Sequence, residues 1–507
     1  MDLNFEKEQL CSCRIVREAK AEQNVDCDMT LPDYCPDIKS ILRCSVEPGI
    51  SSVAVSGNRV TAQGNAVIRL VYVSTDDKMS CFEQNYPLSK YVEMNSLRPD
   101  SQAVASAKTA YVNCRAVSPR RVDIHGCISV LFSVWQCEKT EYISDIAGDG
   151  VQLKLSPVSV CNAVGCVSKL FDMSEVVPLS DSGVKAVSVA DAYSYAVLDS
   201  VKAVSNKLLI KGELMLNVTL CCVDGTVRKL EHSMPISRII ELDGVDESCI
   251  CDVRAEVSPP DLHLRTDENT DTQSIDAAVC INMFVCAYKQ QKCACVKDAY
   301  IINGELEVGK ASFDTNRFVQ AVDESCLVSF KADLDGCEVQ EIIDCRCDGV
   351  TCVSTSGAQG AELSGAVTVS IIYRDKEGKI ASVQRQGDYH VTKQCDDAQG
   401  KVFCDADVCA VASSASGKGS EVSVKVQLNV RGSIFESVPL TAVNEVRQLE
   451  TESKSQSASI TVYFSDGGEK LWDIAKKYNT SEDAIRRRNS IKGDVIEKET
   501  MLIIPRI

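Results

Sequence analysis

Residues 58–72 read NRVTAQGNAVIRLVY, a glycine-centred stretch that ends in an apolar, β-branched and aromatic run. Residues 206–218 (NKLLIKGELMLNV) and residues 361–373 (AELSGAVTVSIIY) repeat the same pattern. The central glycines of the three copies are Gly64, Gly212 and Gly365. Their spacing is about 150 residues, and self-similarity at a fixed period is the mark of a repeat architecture. The sequence therefore predicts three units with one common fold.

The repeat period divides the 507-residue chain into five parts. We expect three tandem β-rich units over residues 1–150, 151–300 and 301–449, which suits a usual domain size of about 100–200 residues. A polar linker (450–459) and a small C-terminal unit (460–507) complete the chain. Because the linker is rich in Ser and charged residues, it predicts a tail that moves independently of the body.

Within the units, apolar and polar residues alternate with period two, as in the run Val422–Val430. Strict alternation is typical of half-buried strands. Dipeptides such as Asp224-Gly225 and Glu377-Gly378 are typical of tight hairpins. The fold class predicted for the body is therefore mainly β.

Short helices are expected to interrupt each unit before its glycine strand. Residues Pro36–Leu42 begin with proline, which favours the first turn of a helix. The third unit has a comparable stretch at Cys337–Ile343, and the second unit has a degenerate one at Tyr195–Leu198.

Composition limits the classes of function. Hydrophobic residues make up 45% of the chain, which excludes a disordered protein, and the net charge of −18 argues against nucleic-acid binding. The N-terminus has no apolar leader, and no apolar run is long enough to span a bilayer. We expect a soluble protein made in the cytosol, with no transmembrane segment.

Cysteine is frequent, with 27 residues, but the chain has no Cys-x-x-Cys motif and only four histidines. The spacing of these residues predicts no metal site and no cofactor. In a long chain without an export signal, most cysteines are expected to be reduced and to serve as small buried hydrophobes. An alternative is that exposed thiols cross-link a protein shell late in its assembly.

The C-terminal unit has a strand–helix–helix–strand pattern. A β-branched run at 460–463 precedes the turn Ser465–Gly468. The helical spacing of Leu471, Ile474, Ala475 and Tyr478 follows. Thr480, with Asp483 three residues later, is close to a capping box and predicts the N-cap of a second helix. The apolar run 501–505 is expected to pair with the first strand.

This pattern resembles the LysM domain. Residues expected in its core are Leu471, Trp472, Ile474, Ala475, Tyr478, Asn489 and Ile504, and Gly468, Leu502 and Pro505 also fall in register. The resemblance implies binding of N-acetylglucosamine-containing glycans, but the family's Asp-Thr pair is Glu469-Lys470 here. That departure favours a protein partner. The candidate binding surface comprises Glu469, Lys470, Arg486, Arg487 and Arg488.

A second resemblance lies near the N-terminus, where residues 31–38 read LPDYCPDI and Ile41-Leu42 follow. This motif resembles the signature of the SPOCS (spore-coat synthesis) domain. SPOCS repeats followed by one LysM domain resemble the SipL-type coat morphogenetic proteins. The resemblance implies a scaffold in the mother-cell cytoplasm, at the forespore surface. Its implied partners are the coat-basement ATPase SpoIVA, bound through LysM, and other coat proteins.

Two functions from different classes remain open. The sequence has no P-loop, no Gly-x-Ser-x-Gly and no His-Glu-x-x-His, and predicts no catalytic residue and no enzyme. In the first hypothesis the chain is a coat scaffold whose repeats also self-associate laterally. In the second it is a cell-wall protein whose LysM domain binds peptidoglycan. An ionic protein interface would weaken with salt more than a sugar groove would.

Overall fold

The computed structural model describes residues 3–179, 185–267, 272–302, 304–356, 360–417, 419–449 and 460–505. The expected linker at 450–459 lies outside these residues. Strands dominate the described chain, and several reach 27–29 residues. The prediction of a mainly β protein is confirmed.

The first set of strands is β1 (Asn4–Thr30), β2 (Ile38–Ser56), β3 (Arg59–Ser74), β4 (Met79–Glu93), β5 (Gln102–Ser118) and β6 (Arg121–Ala147). They form two antiparallel sheets, ordered β1-β6-β5 and β2-β3-β4. The first strand of the set therefore pairs with the last, and the three-stranded meander lies between them in the chain.

The second set is β7 (Val151–Pro178), β8 (Ala186–Val204), β9 (Lys207–Cys222), β10 (Val227–Glu241), β11 (Ile250–Val257), β12 (Asp261–Thr266) and β13 (Gln273–Ile301). Strand β13 pairs with β7, β11 and β12, and the meander is β8-β9-β10. The nesting of the first set is thus repeated, with two short strands in place of β5.

The third set is β14 (Glu305–Asp333), β15 (Val339–Val350), β16 (Val353–Ser356), β17 (Gly360–Asp375), β18 (Ile380–Gln394), β19 (Val402–Ser416) and β20 (Glu421–Leu449). Its sheets are β14-β20-β19 and a meander in which β17 pairs with β15, β16 and β18. We call the three sets unit 1, unit 2 and unit 3.

A C-terminal module follows, made of β21 (Ile460–Ser465), α1 (Leu471–Lys477), α2 (Glu482–Asn489) and β22 (Thr500–Pro505). Its two strands pair antiparallel. These two helices are the only ones in the part of the chain that the structure describes.

Each unit is a sandwich in which the meander packs on the sheet built around the two long outer strands. In unit 1, Ile68 and Leu70 of β3 share a core with Ile128 and Phe132 of β6, and all four are fully buried. Units 2 and 3 have equivalent cores between β9 and β13 and between β17 and β20. The alternation in the sequence therefore reflects strands with one buried face.

The three repeat glycines share one structural reason. A Cβ atom at Gly64 would overlap the carbonyl oxygen of Gly49 on the neighbouring strand. At Gly212 it would overlap the carbonyl oxygen of Val197, and at Gly365 that of Thr351. Each meander thus requires a residue without a side chain at the point where a neighbouring backbone carbonyl comes closest to the glycine strand.

The short helices expected in the body are wrong. Residues 38–42 lie in β2, residues 339–343 lie in β15 and Tyr195–Leu198 lie in β8. At Pro36–Leu42 the cause is a pair of β-bulges at the start of the meander, which skip Lys39 and Leu42 in the pairing of β2 with β3. Strand β15 has register shifts at the matching places. In β8 the matching shifts lie before Tyr195, and Tyr195–Leu198 pair regularly with β9. Because a bulge inserts a residue, it changes period-two spacing into a spacing of three that imitates a helix.

The three meanders meet around a buried ionic cluster. Arg43, Asp191 and Asp344 each lie opposite the residue seven positions after the repeat glycine of their own unit. Their side chains are no more than 6% exposed, and Arg43 lies 3.0 Å from Asp344 and 3.5 Å from Asp191. The three units therefore place equivalent residues around a common centre.

Two further arginines complete this cluster. Arg69 pairs with Glu83 at 2.8 Å, and Arg346 pairs with Glu47 at 2.7 Å and with Asp191. Burial favours the neutral carboxyl at Glu47, but Arg346 and Arg69 hold its pKa below the usual value. Buried charges of this kind persist only when they are paired.

Candidate functional site

One side-chain cap and one buried hydroxyl order the second helix of the C-terminal module. Helix α2 begins after Ser481, whose side-chain oxygen accepts the N–H of Ala484 at 3.1 Å. The expected cap, Thr480, is wrong by one residue. Thr480 is fully buried, and its hydroxyl donates to the carbonyl of Pro505 at 2.8 Å, so it joins the helix to the last strand instead.

The residues expected in the module's core lie at its centre. Leu471, Trp472, Ile474, Ala475 and Ile504 are buried. The ring of Tyr478 packs on Tyr463, with centroids 5.4 Å apart. The Asn489 side chain donates to the carbonyl of Ile503 at 2.8 Å and accepts its N–H at 2.7 Å. Asn489 therefore acts as an extra backbone partner for β22.

Two loops are fastened side by side at one end of the module. The N–H of Gly468 donates to the carbonyl of Ile496 at 2.7 Å, and the N–H of Ile496 donates to the carbonyl of Glu469 at 2.8 Å. The Glu469 carboxylate accepts the Tyr463 hydroxyl at 2.8 Å and the N–H of Asp466 at 3.1 Å. Glu469 is thus used within the module, where it orders the loop that precedes α1.

The predicted basic residues divide into two groups. Arg486 lies 2.6 Å from Asp494 and 3.8 Å from Glu482, so its charge is used within the module. Lys470, Arg487 and Arg488 are exposed and form no ion pair with any residue that the structure describes. These three side chains are available to an acidic partner.

An apolar strip on the outer face of the β21–β22 sheet was not anticipated from the sequence. Val462, Phe464 and Met501 are 54%, 74% and 55% exposed. Phe464 and Met501 are direct cross-strand partners. The signal was present, because the strand 460–465 has apolar residues on both of its faces and only one face can cover the helices. We call these three residues the apolar strip.

The opposite side of the module packs against the body. The Trp472 indole N–H donates to the Asp298 carboxylate at 2.9 Å, and the Lys476 ammonium lies 2.9 Å from the same carboxylate. The Tyr300 hydroxyl donates to the carbonyl of Thr480 at 2.7 Å, and its ring meets that of Trp472 edge-on at 4.9 Å. The tail is therefore docked on the end of β13 rather than free of the body.

Asp298 is the centre of this contact. Its side chain is 14% exposed, and Lys310 approaches it at 3.3 Å from the body side. Burial opposes ionisation, but the hydrogen bonds from Lys476 and Trp472 hold the pKa of Asp298 below its usual value. One carboxylate thus connects helix α1 to units 2 and 3.

Among the described residues, no helix has the length and apolarity needed to cross a bilayer.

Comparison with known families agrees with this arrangement. Residues 468–505 match the LysM domain, so the chain is a β-rich protein that ends in a LysM binding module. Residues 37–117 and 188–264 match the family described as SipL, SPOCS domain. The chain thus carries SPOCS domains of SipL and a C-terminal LysM domain, and the SipL-type arrangement predicted from the sequence is confirmed. No curated protein and no solved structure gave a match.

The two SPOCS matches cover β2–β5 of unit 1 and the equivalent strands β8–β12 of unit 2. Unit 3 repeats the same pairing with β15–β19. SPOCS and LysM are binding and scaffold domains, and they connect the chain to sporulation.

Proposed function

We propose that this chain is a non-enzymatic scaffold of spore coat assembly. In this proposal the LysM module tethers coat layers to the forespore surface, on the mother-cell side, by binding the coat-basement ATPase SpoIVA. The observation that carries the proposal is the two-sided module: one side is docked on the body through Asp298, while the apolar strip faces outward. A module held in this way presents one fixed surface to a partner.

The chemistry of the outward side suits a protein partner. An exposed cross-strand Phe–Met pair is the kind of apolar anchor that protein interfaces bury. Lys470, Arg487 and Arg488 add positive charges without partners in the described chain. In protein interfaces apolar anchors supply affinity, and exposed charges orient the partner.

The alternative is a LysM domain that binds peptidoglycan. The observation that favours it is the pair of fastened loops around Gly468 and Ile496, which lie within the residues that match the LysM domain. Lys470 takes the place of the family's threonine in this region. The two candidates use different surfaces, so substitutions can separate them.

Binding of the full chain to SpoIVA and to insoluble peptidoglycan, measured in parallel, tests the proposal. Replacement of Phe464 by Asp should weaken binding to the ATPase by about 30-fold or more, the size of a central hot-spot residue. Val353→Asp is the matched control, because Val353 is 60% exposed on a strand of the body. It should leave binding unchanged.

The peptidoglycan assay decides between the two functions. If the chain sediments with peptidoglycan, is released by N-acetylglucosamine oligomers and does not bind the ATPase, the tethering proposal is wrong and the glycan function replaces it. If the ATPase binds and Phe464→Asp reduces its affinity while the thermal melt is unchanged, the proposal is supported.

A further inference from the structure

Four cysteines from distant parts of the chain meet where unit 1 packs on unit 2. Cys13 of β1 lies directly opposite Cys137 of β6. Cys166 of β7 lies directly opposite Cys286 of β13. Each unit therefore contributes one cross-strand pair of thiols, and the two pairs face each other across the junction.

The sulfur atoms are close enough to share one ligand. The Sγ atoms of Cys13, Cys166 and Cys286 all lie within 4.8 Å of one another. The Sγ atom of Cys137 lies 4.0 Å from that of Cys166, and all four thiols are free. A tetrahedral zinc ion with Zn–S bonds of about 2.3 Å requires sulfurs about 3.8 Å apart. The three mutually close sulfurs are near that spacing, and Cys137 lies beside them as the fourth ligand.

The surroundings of the cluster suit a structural metal. Cys286 is 2% exposed and packs with Trp135 and Phe284, whose rings lie 4.9 Å apart. Tyr288 packs against the same cluster. Such walls exclude competing water from the thiols.

The fold does not require thiols at these positions. In unit 2 the positions that match Cys13 and Cys137 hold Cys161 and Gln290, and in unit 3 they hold Asn316 and Ser437. The matching positions are aligned on a β-bulge that all three units share. In unit 1 this bulge lies three residues after Cys13.

The Cys166–Cys286 pair is also confined to one unit. In unit 1 the positions that match Cys166 and Cys286 hold Glu18 and Ser133, and in unit 3 they hold Ala321 and Ser433. Thiols therefore occupy both pairs only where β1 and β6 meet β7 and β13.

We propose that Cys13, Cys137, Cys166 and Cys286 form a structural site for one zinc ion that joins unit 1 to unit 2. Binding replaces the four thiol protons with four Zn–S bonds and releases those protons to solvent, with no change of oxidation state. The resulting complex carries two negative charges. Arg98, whose guanidinium donates to the Cys137 carbonyl at 3.0 Å, supplies a positive charge beside it. Zinc at this place would fix how the two units meet.

Elemental mass spectrometry of the full chain, purified under reducing conditions and dialysed against zinc-free buffer, tests the site. We expect one zinc ion per chain. The Cys13→Ser/Cys286→Ser double variant should lose the zinc. Cys161→Ser, which removes a thiol at a matching strand position without a thiol opposite, should keep it.

Two measurements on the native chain guard against a variant that fails to fold. Removal of zinc with a chelator should lower the melting temperature and make four more thiols reactive. Replacement of zinc by cobalt should give the thiolate-to-metal absorption of a tetrahedral sulfur site. Both results are absent if the thiols are only packed against one another.

Three results would overturn the proposal. The first is a native chain without zinc that takes up neither zinc nor cobalt. The second is equal zinc in the native chain and the double variant, which would place the metal elsewhere. The third is a disulfide between two of the four cysteines in chain isolated without reductant, with free thiols blocked at lysis, seen as a mass loss of two hydrogens.

Discussion

The body buries three of its arginines, whereas the LysM module leaves basic side chains exposed. In the body, the side chains of Arg43, Arg69 and Arg346 are 6%, 1% and 10% exposed, and each has carboxylate partners from more than one strand. In the module, Lys470 and Arg487 are exposed and have no ionic partner in the described chain. The same residue types therefore have different uses.

This difference follows from the cost of burying a charge. A buried arginine must be matched by carboxylates at short distance, so it specifies which strands of which units meet. An exposed arginine has no such constraint and adds little to stability. We infer that the body's charges determine assembly of the three units, while the module's charges remain for a partner.

The largest expected effect is at the centre of the body. Arg346→Ala leaves Asp191 and Glu47 buried without one of their cations, and we expect a loss of about 3–5 kcal/mol in the free energy of unfolding. Urea denaturation measures it. Arg447→Ala, which removes an exposed pair with Glu445, should cost less than about 1 kcal/mol. Equal losses in the two variants would contradict a structural role for the cluster.

The repeat glycines should come next. Gly212→Ala places a methyl group against the Val197 carbonyl, and the strain should cost about 1–3 kcal/mol. Gly349→Ala is the control, because no atom lies within 4 Å of its added Cβ. Thermal denaturation compares the two. A Gly212→Ala variant as stable as the control would mean that the Val197 carbonyl does not lie against the backbone of Gly212.

The module's docking should depend on one carboxylate. Asp298→Ala removes the acceptor of Trp472 and Lys476, and should weaken docking by about 1–3 kcal/mol, as for hydrogen bonds to a charged group. Trp472 fluorescence in a Trp135→Phe background reports the change. Asp494→Ala, which removes only the exposed pair with Arg486, should leave that fluorescence unaltered.

Docking should also respond to acid. The pKa of Asp298 is lower in the docked state than its ordinary value of 3.8, so the undocked carboxylate takes up a proton more readily. The stabilisation is complete above pH 3.8 and is lost as the pH falls through the lower, docked value. A pH titration of Trp472 fluorescence should show a transition below pH 4 that is absent in Asp298→Ala. A transition that survives this substitution would place the titrating group elsewhere.

The smallest effect is expected from surface charge on the module. Lys470→Glu should weaken binding to SpoIVA by several-fold at low salt and by less at high salt, because exposed charges are screened. Arg486→Glu changes charge equally but removes an internal pair, so it should also lower stability. Binding that does not vary with salt would exclude an ionic rim.

The sequence predicted those parts of the molecule that depend on local pattern. Alternation and the repeat glycines identified the strands, and Leu471, Ile474, Ala475 and Ile504 are buried in the module. Body helices were predicted wrongly because paired bulges give helical spacing to strand residues such as Ile38 and Ile41. The N-cap of α2 was misplaced by one residue because Thr480 bonds to Pro505 instead.

Contacts between units could not be predicted. The pairing of Arg43 with Asp344, the docking of Trp472 on Asp298 and the meeting of Cys13, Cys166 and Cys286 join residues that are more than 100 positions apart. Local spacing carries no signal of such contacts. They arise only when the long outer strands pair in register and three units pack around one centre.

Photo-crosslinking from single positions tests most directly that the module's outer sheet face is the partner-binding surface. A photoreactive residue would replace Phe464, which is 74% exposed, in one full-length variant and Val353, which is 60% exposed on the body, in another. After irradiation with SpoIVA, we predict a crosslinked complex from position 464 and none from position 353. Crosslinking from position 353 alone, or from neither position while binding is intact, would contradict a partner site on the apolar strip.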